Sequence, residues 1–402
     1  MRKFILLAFV VLVLPPSAAS PARSDPSVLA IDWLVPGNER LLLADPLTLV
    51  PRGASSLDLS GHGWPYAFNS DRSRLVLGRW QPPSLRLVDA RSVRVLRDVP
   101  LGGKRRVEIK AVAWLGRQIV VLVERPSRVL TLLRVDPAAG RVVASTALGH
   151  WGADVAATGT RFLALLVPIE GIGSARLLVV TADRVRTVRL AGIRAGSLRA
   201  RRGKPHTMFQ PGLAASPTEP RAWVIGAGRS ADIDLQSLAI RYRGELRRPA
   251  SSQKEPVVGS SRSAQWLSPG RLVVTGWDTA RDDRGEIVFE QSGLRLIETT
   301  GWTDFTIHPR ALLFYVRPRQ LLTMAPGDCE GPELTAYTLA GAEAYRVCER
   351  QATGELEFAG RYARLGRVDG RVAVIDLDTG VVVSRMRDVR VNPLESTLVQ
   401  EP

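Results

Sequence analysis

The chain is poor in the residues that carry most enzyme chemistry. Four histidines (His62, His150, His206 and His308), two cysteines (Cys329 and Cys348) and 6% aromatics leave few nucleophiles, bases and metal ligands among 402 residues. No Gly-x-Ser-x-Gly, no His-Glu-x-x-His and no Walker phosphate loop occurs. Gly171-Ile172-Gly173 lies between strand-like runs rather than before a helix, which excludes a dinucleotide fingerprint. Beyond the N-terminus, Arg or Asp breaks every apolar run within about ten positions, short of a membrane-spanning helix. Helical periodicity is nearly absent, because valines and turn residues interrupt the windows. No catalytic residue is assigned.

Lysine is scarce, and arginine is not. Of 55 basic residues only five are lysine (3, 104, 110, 204 and 254), which leaves 50 arginines and a net charge of +16. Arginine alongside abundant Ala, Gly, Val and Pro is the composition of a GC-rich genome, which accounts for much of the basicity. The rival reading is a surface tuned to a polyanionic cell-envelope ligand such as anionic wall polymer. The basic groups Gly103-Lys104-Arg105-Arg106 and Arg199-Ala200-Arg201-Arg202-Gly203-Lys204 have no aromatics among them, so no specific nucleic-acid site is expected.

Met1 to Ala22 has the three parts of a secretory signal peptide: Arg2 and Lys3, an apolar run from Phe4 to Leu14, and small residues up to a cleavage site after Ala19 or Ala22. The expected mature chain, 23–402, is secreted or extracytoplasmic and has no linker that would divide it.

What the chain has in abundance is one supersecondary unit. Arg371 to Met386, RVAVIDLDTGVVVSRM, alternates Val and Ile, turns at Asp376-Leu377-Asp378-Thr379-Gly380, and returns through three valines, the pattern of a β-hairpin. Variants recur at Arg40 to Val50, Leu85 to Leu96, Leu130 to Ser145, Arg176 to Leu190, Ala231 to Tyr242, Glu286 to Ile297 and Leu334 to Val347. Asp and Gly suit the turns, because Asp bonds the backbone ahead of it and Gly supplies positive φ. Most hairpins follow another pair of short strands, as at Ala111-Val112-Ala113-Trp114 and at Phe305-Thr306-Ile307-His308. Four short strands about every 45 residues is the period of a β-propeller.

Val374-Ile375-Asp376-Leu377-Asp378-Thr379-Gly380-Val381-Val382-Val383, with Leu87-Val88-Asp89 and Val135-Asp136-Pro137 in part, resembles the bacterial propeller repeats of the YVTN and quinoprotein-like kind. The resemblance implies an all-β fold, a single propeller of seven or eight four-stranded blades. Its ring is expected to close between the N-terminal segment and an inner strand within Val389 to Val399. The repeat lacks the tryptophan expected near Ser384 that locks quinoprotein blades together. Gly61-His62 and Gly149-His150 occupy the Gly-His place of WD40 repeats, but the matching Trp-Asp is missing and Trp277-Asp278 follows a second strand instead.

Candidate site residues have a functional and a structural reading each. His62 and His150 could line one mouth of the channel or simply cap turns. Trp64, Trp151 and Trp302 fall near blade starts, where they could stack on a sugar or apolar ligand, or plug the packing between blades. Asp154 and Asp304 are placed near the starts of innermost strands, where a channel metal would want carboxylates. The acidic loop with Asp278, Asp282, Asp283 and Glu286 offers hard oxygens for Ca²⁺, although Arg281 and Arg284 can neutralise it. Cys329 and Cys348, an even count in an exported chain, are expected to form a disulfide. No thiol lies in a catalytic motif with a histidine.

The expected function is a monomeric, non-enzymatic binding or scaffold module for a protein or cell-envelope ligand. Its recognition surface would be the excursions Arg199 to Leu213, Trp277 to Glu286 and Arg317 to Pro332. The alternative is a channel-centred metal-dependent hydrolase of the lactonase kind, or an oxidoreductase.

Overall fold

Turn chemistry sets the spacing of the strands. In this computed structural model, which describes residues 27–32, 39–102, 107–158, 160–198, 207–244, 258–281, 284, 286–311, 313–327, 331–387 and 391–394, the same carboxylate device recurs. Asp89 at the end of Pro83–Asp89 accepts the backbone N–H of Arg91 (3.0 Å) and Ser92 (2.8 Å), turning the chain into Arg94–Pro100. Asp45, Asp136 and Asp234 do likewise with the second and third residues ahead, and Asp376 with Asp378. Bonds led by the Ser92 and Ser237 amides hold the Asp89 and Asp234 carboxyls below their ordinary value.

The result is an all-β propeller with no helix among the described residues. Six sheets have four strands each, at residues 28–58 with 391–393 (first), 63–100 (second), 108–149 (third), 212–243 (nested), 313–348 (penultimate) and 352–387 (last). That count is below the expected seven or eight, because the remaining strands merge. A leading meander (151–198) and a trailing meander (259–308) belong to one ten-stranded sheet. Val185–Leu198 runs 14 residues, overshoots its hairpin and pairs with Thr207–Gln210, which in turn pairs parallel to Gly259–Ser268 through Phe209 and Ser260. In the first sheet Val391–Pro393 pairs antiparallel with Val28–Asp32, Asn392 opposite Ile31.

First strands of neighbouring sheets lie against one another, Gly63–Phe68 on Glu108–Leu115 and Gly212–Ala215 on Gly259–Ser268, so these strands are innermost. Eight apolar clusters fill the interior, each shared by two neighbouring units. One of them joins Ala359 of the last sheet to Ala30, Leu42 and Leu49 of the first.

Seven of the eight expected hairpins pair as hairpins; the one at Glu286 to Ile297 does not. Ile287–Gln291 and Leu294–Glu298 both pair with the long strand Arg271–Arg281, end to end. Gly293, read as the turn, instead marks a bend where a Cβ would stand 2.8 Å from the His308 carbonyl. In the same way Arg317 to Pro332 is largely the strand Gln320–Pro326 rather than a loop, and Trp277 to Arg281 is strand.

The arginines have an unforeseen use. Most hairpin turns receive a side chain from the preceding unit, which donates to their carbonyls. Arg97 donates to Ala138 (2.6 Å), Arg134 to Thr181 (2.8 Å), Ala182 and Arg184 (3.0 Å), and Arg186 to Gln236 (3.0 and 3.1 Å). Further round, Arg271 reaches Leu339 (3.3 Å), Gln320 and Tyr345 reach Leu377 (3.1 and 2.9 Å), and Arg364 reaches Leu47 of the first sheet (3.5 Å). Tyr345 also covers Gly380, whose positive φ and 2.5 Å gap to the ring leave no room for a Cβ. Tyr345 and the arginines therefore tie these turns to the neighbouring unit.

Candidate functional site

A cleft of about 330 Å³ opens between the third sheet and the leading meander, lined by Arg128, His150, Trp151, Pro168, Ile169 and Glu170. Three turns build it. The tight loop 125–129, closed by Arg125 N–H to the Val129 carbonyl (3.1 Å), carries Arg128 at positive φ. Gly149, also at positive φ, lets the chain leave Arg141–Gly149 and present His150 before Trp151–Thr158 begins. The turn after Arg161–Pro168 supplies Pro168, Ile169 and the single carboxylate, Glu170.

Trp151 is half-buried, with one part against the cluster shared with the third sheet and one part on the cleft. The Arg176 guanidinium stands 4.8 Å from its ring centroid, a cation–π geometry. Arg176 is directly opposite Arg189 across the Gly171–Val180 and Val185–Leu198 pair. Two like charges thus share one exposed patch beside the indole. The cleft joins a flat apolar surface to hydrogen-bonding side chains, with the Arg176 charge beside its indole.

Three residues along the same inner strand, Asp154 is water-accessible by its own surface yet densely surrounded by protein, and that burial pushes its carboxyl above its ordinary value. The structure thus brings His150 and Trp151 together and keeps Asp154 on their strand.

The remaining candidates are scattered. His62 is buried, with Nδ1 2.9 Å from the Leu59 carbonyl and Nε2 3.2 Å from Ser84 Oγ, and burial lowers its pKa. Trp64 is 49% exposed at the start of an inner strand and tilts against Tyr66 at 4.6 Å. Trp302 stacks on Trp223 at 4.8 Å and 8°, and its Nε1–H donates to the Gly244 carbonyl (3.1 Å). Asp304 lies on the edge strand Thr303–His308, not on an innermost strand, because the apolar run after it, from Leu313, begins the next sheet; there it is paired with Arg295. Asp278 is buried and accepts both its hydrogen bonds from Arg262 Nη2 (2.8 and 2.9 Å). Glu286 is exposed at the surface, and Asp282 and Asp283 lie outside the described residues. Among the described residues no three His, Cys, Asp or Glu side chains gather into a metal-binding group. Cys348 ends the strand Glu343–Cys348, while Cys329, His206 and the expected signal peptide lie outside the described residues.

Arg128, Glu170 and Arg176 were not foreseen. Loop 125–129 and the turn at 168–170 meet only through packing of two units, which no local pattern announces; Arg176 is one of four arginines in its hairpin, with nothing in the local sequence to single it out.

No family model matches the chain and no curated protein does. Solved structures do. The chain is similar to NirN, described as a dihydro-heme d1 dehydrogenase, at 16% identity and a TM-score of 0.57, covering 95% of this chain and 77% of that one. It is also similar to BamB from Moraxella catarrhalis at 12% identity and a TM-score of 0.47, covering 87% and 98%. The likeness to NirN, at 16% identity, shows the fold alone, a β-propeller.

Proposed function

We propose that this chain is an exported, non-enzymatic β-propeller that binds its ligand in the cleft between the third sheet and the leading meander. The observation that carries the reading is the convergence of His150, Trp151, Arg128 and Glu170 on one concave surface of about 330 Å³, within the range of small-ligand sites. Export rests on the Met1 to Ala22 pattern, and a Cys329–Cys348 disulfide follows from export. The ring is closed by Val391–Pro393, by Arg364 on the Leu47 carbonyl and by the cluster at Ala359, with both meanders of the merged sheet taking places in it. The protein is monomeric, its partner a protein or an envelope ligand.

Screening the mature protein by tryptophan fluorescence against saccharides and peptides tests this. Binding that is lost in Trp151→Ala, with folding intact by circular dichroism, supports it; binding indifferent to Trp151 removes it. A second reading, a channel-centred hydrolase, rests on Asp154, whose raised carboxyl suits a general acid. Hydrolysis of a lactone panel that disappears in Asp154→Asn would favour that reading.

A further inference from the structure

Arg176 and Arg189 sit directly opposite each other on adjacent strands, and among the described residues neither has a carboxylate partner. Like charges so placed destabilise an antiparallel pair unless something neutralises them. Several other surface arginines are occupied: Arg97, Arg134 and Arg186 clamp turns, and Arg86 and Arg221 hold Asp98 and Asp232. Arg176, one member of this pair, lies over the indole that lines the cleft described above.

Resting on the binding reading above, we propose that the cleft takes an acidic saccharide. Its anionic group lies between Arg176 and Arg189, its ring lies against Trp151, and its hydroxyls bond Glu170 and His150. Guanidinium forks match a carboxylate or sulfate in plane, which an ammonium does not. The C–H face of a sugar suits an indole that is flat and half-buried. Glu170, the only carboxylate in the cleft, accepts hydroxyl protons and repels a ligand whose charge is misplaced. The cavity is at the small end of ligand sites, so the unit recognised is one or two sugar rings.

The test is isothermal titration of the mature protein with a glucuronate-containing disaccharide and with its neutral glucose counterpart, at low and at physiological salt. The acidic sugar is expected to bind at least tenfold more tightly than the neutral one, with the margin narrowing as salt rises. Arg176→Gln with Arg189→Gln should erase that margin, whereas Trp151→Ala should abolish binding of both sugars. Arg141→Gln removes one exposed charge elsewhere and should change nothing. Should either cleft variant lose its native circular dichroism, Arg176→Lys serves in its place, with about a tenfold loss for the acidic sugar expected. Equal affinity for both sugars, abolished by Trp151→Ala, would overturn the acidic assignment and leave the binding cleft standing. Acidic binding that ignores all the cleft variants would reduce the effect to surface charge and overturn both, as would no binding of either sugar.

Discussion

Trp302 and Trp151 each stand where two units meet, and the molecule treats them differently. Trp302 closes its seam: it lies flat on Trp223, which has no exposed surface, and spends its N–H on Gly244. Trp151 leaves its seam open, with Arg176 over the ring and a cavity alongside. The two residues carry the same side chain at different places in their units, Trp151 opening an innermost strand and Trp302, against the expected blade start, standing in the turn before the edge strand Thr303–His308. A second aromatic within stacking distance makes one a plug, and a cation and a void make the other a binding surface.

The largest effect expected from breaking this contrast is at the plugged seam. Trp223→Ala should cost about 3–5 kcal/mol in urea unfolding, since it empties a fully buried site and strips Trp302 of its stacking partner. At the open seam the fold is held instead by the clamp below the cleft. Arg134→Ala removes the donor to three turn carbonyls and should cost about 1.5–3 kcal/mol, against the ±0.5 kcal/mol of an ordinary surface arginine. Gly380→Ala, which pits a Cβ against the clamping Tyr345 and forces a non-glycine residue to positive φ, should destabilise by more than ~1 kcal/mol. A loss below that would mean Tyr345 yields freely and is no lock.

The smallest effect concerns pH at the open seam. Burial raises the Asp154 carboxyl above its unfolded value, so its neutral form is favoured by folding. Its contribution is complete below the unfolded carboxylate range of about 4 and is lost as pH rises through the raised folded value. Asp154→Asn should therefore raise the Tm at pH 7 and lose that advantage at acid pH. His62 runs the other way: its depressed pKa gives stability above its ordinary value that is lost as pH falls through the folded one.

The repeat was legible because turn chemistry is local. The hairpins centred on Asp89, Asp136 and Asp376 follow from an Asx turn and alternating valines, and the strand within 389–399 is present at Val391–Pro393. The errors arose where one local pattern has two outcomes. Ser292-Gly293 reads as a hairpin turn and is a bend in a strand facing Arg271–Arg281, and the overshoot of Val185–Leu198 that merges two meanders depends on Thr207–Gln210 meeting Gly259–Ser268 across some 50 residues of chain. Of the cleft, His150 and Trp151 were legible as a Gly-His-Trp step before an inner strand. Arg128 and Glu170 were not, since they come from turns of different units. Arginine abundance, read as composition or as a polyanion surface, proved in part to fasten neighbouring units to one another.

The contrast is tested most directly by measuring unfolding free energy and ligand binding together for Trp151→Ala and Trp302→Ala. The account predicts that Trp302→Ala costs about 3 kcal/mol and leaves binding intact, whereas Trp151→Ala costs about 1–2 kcal/mol and abolishes it. Equal losses of stability with binding unchanged in both would contradict it, and would make Trp151 one more plug between sheets.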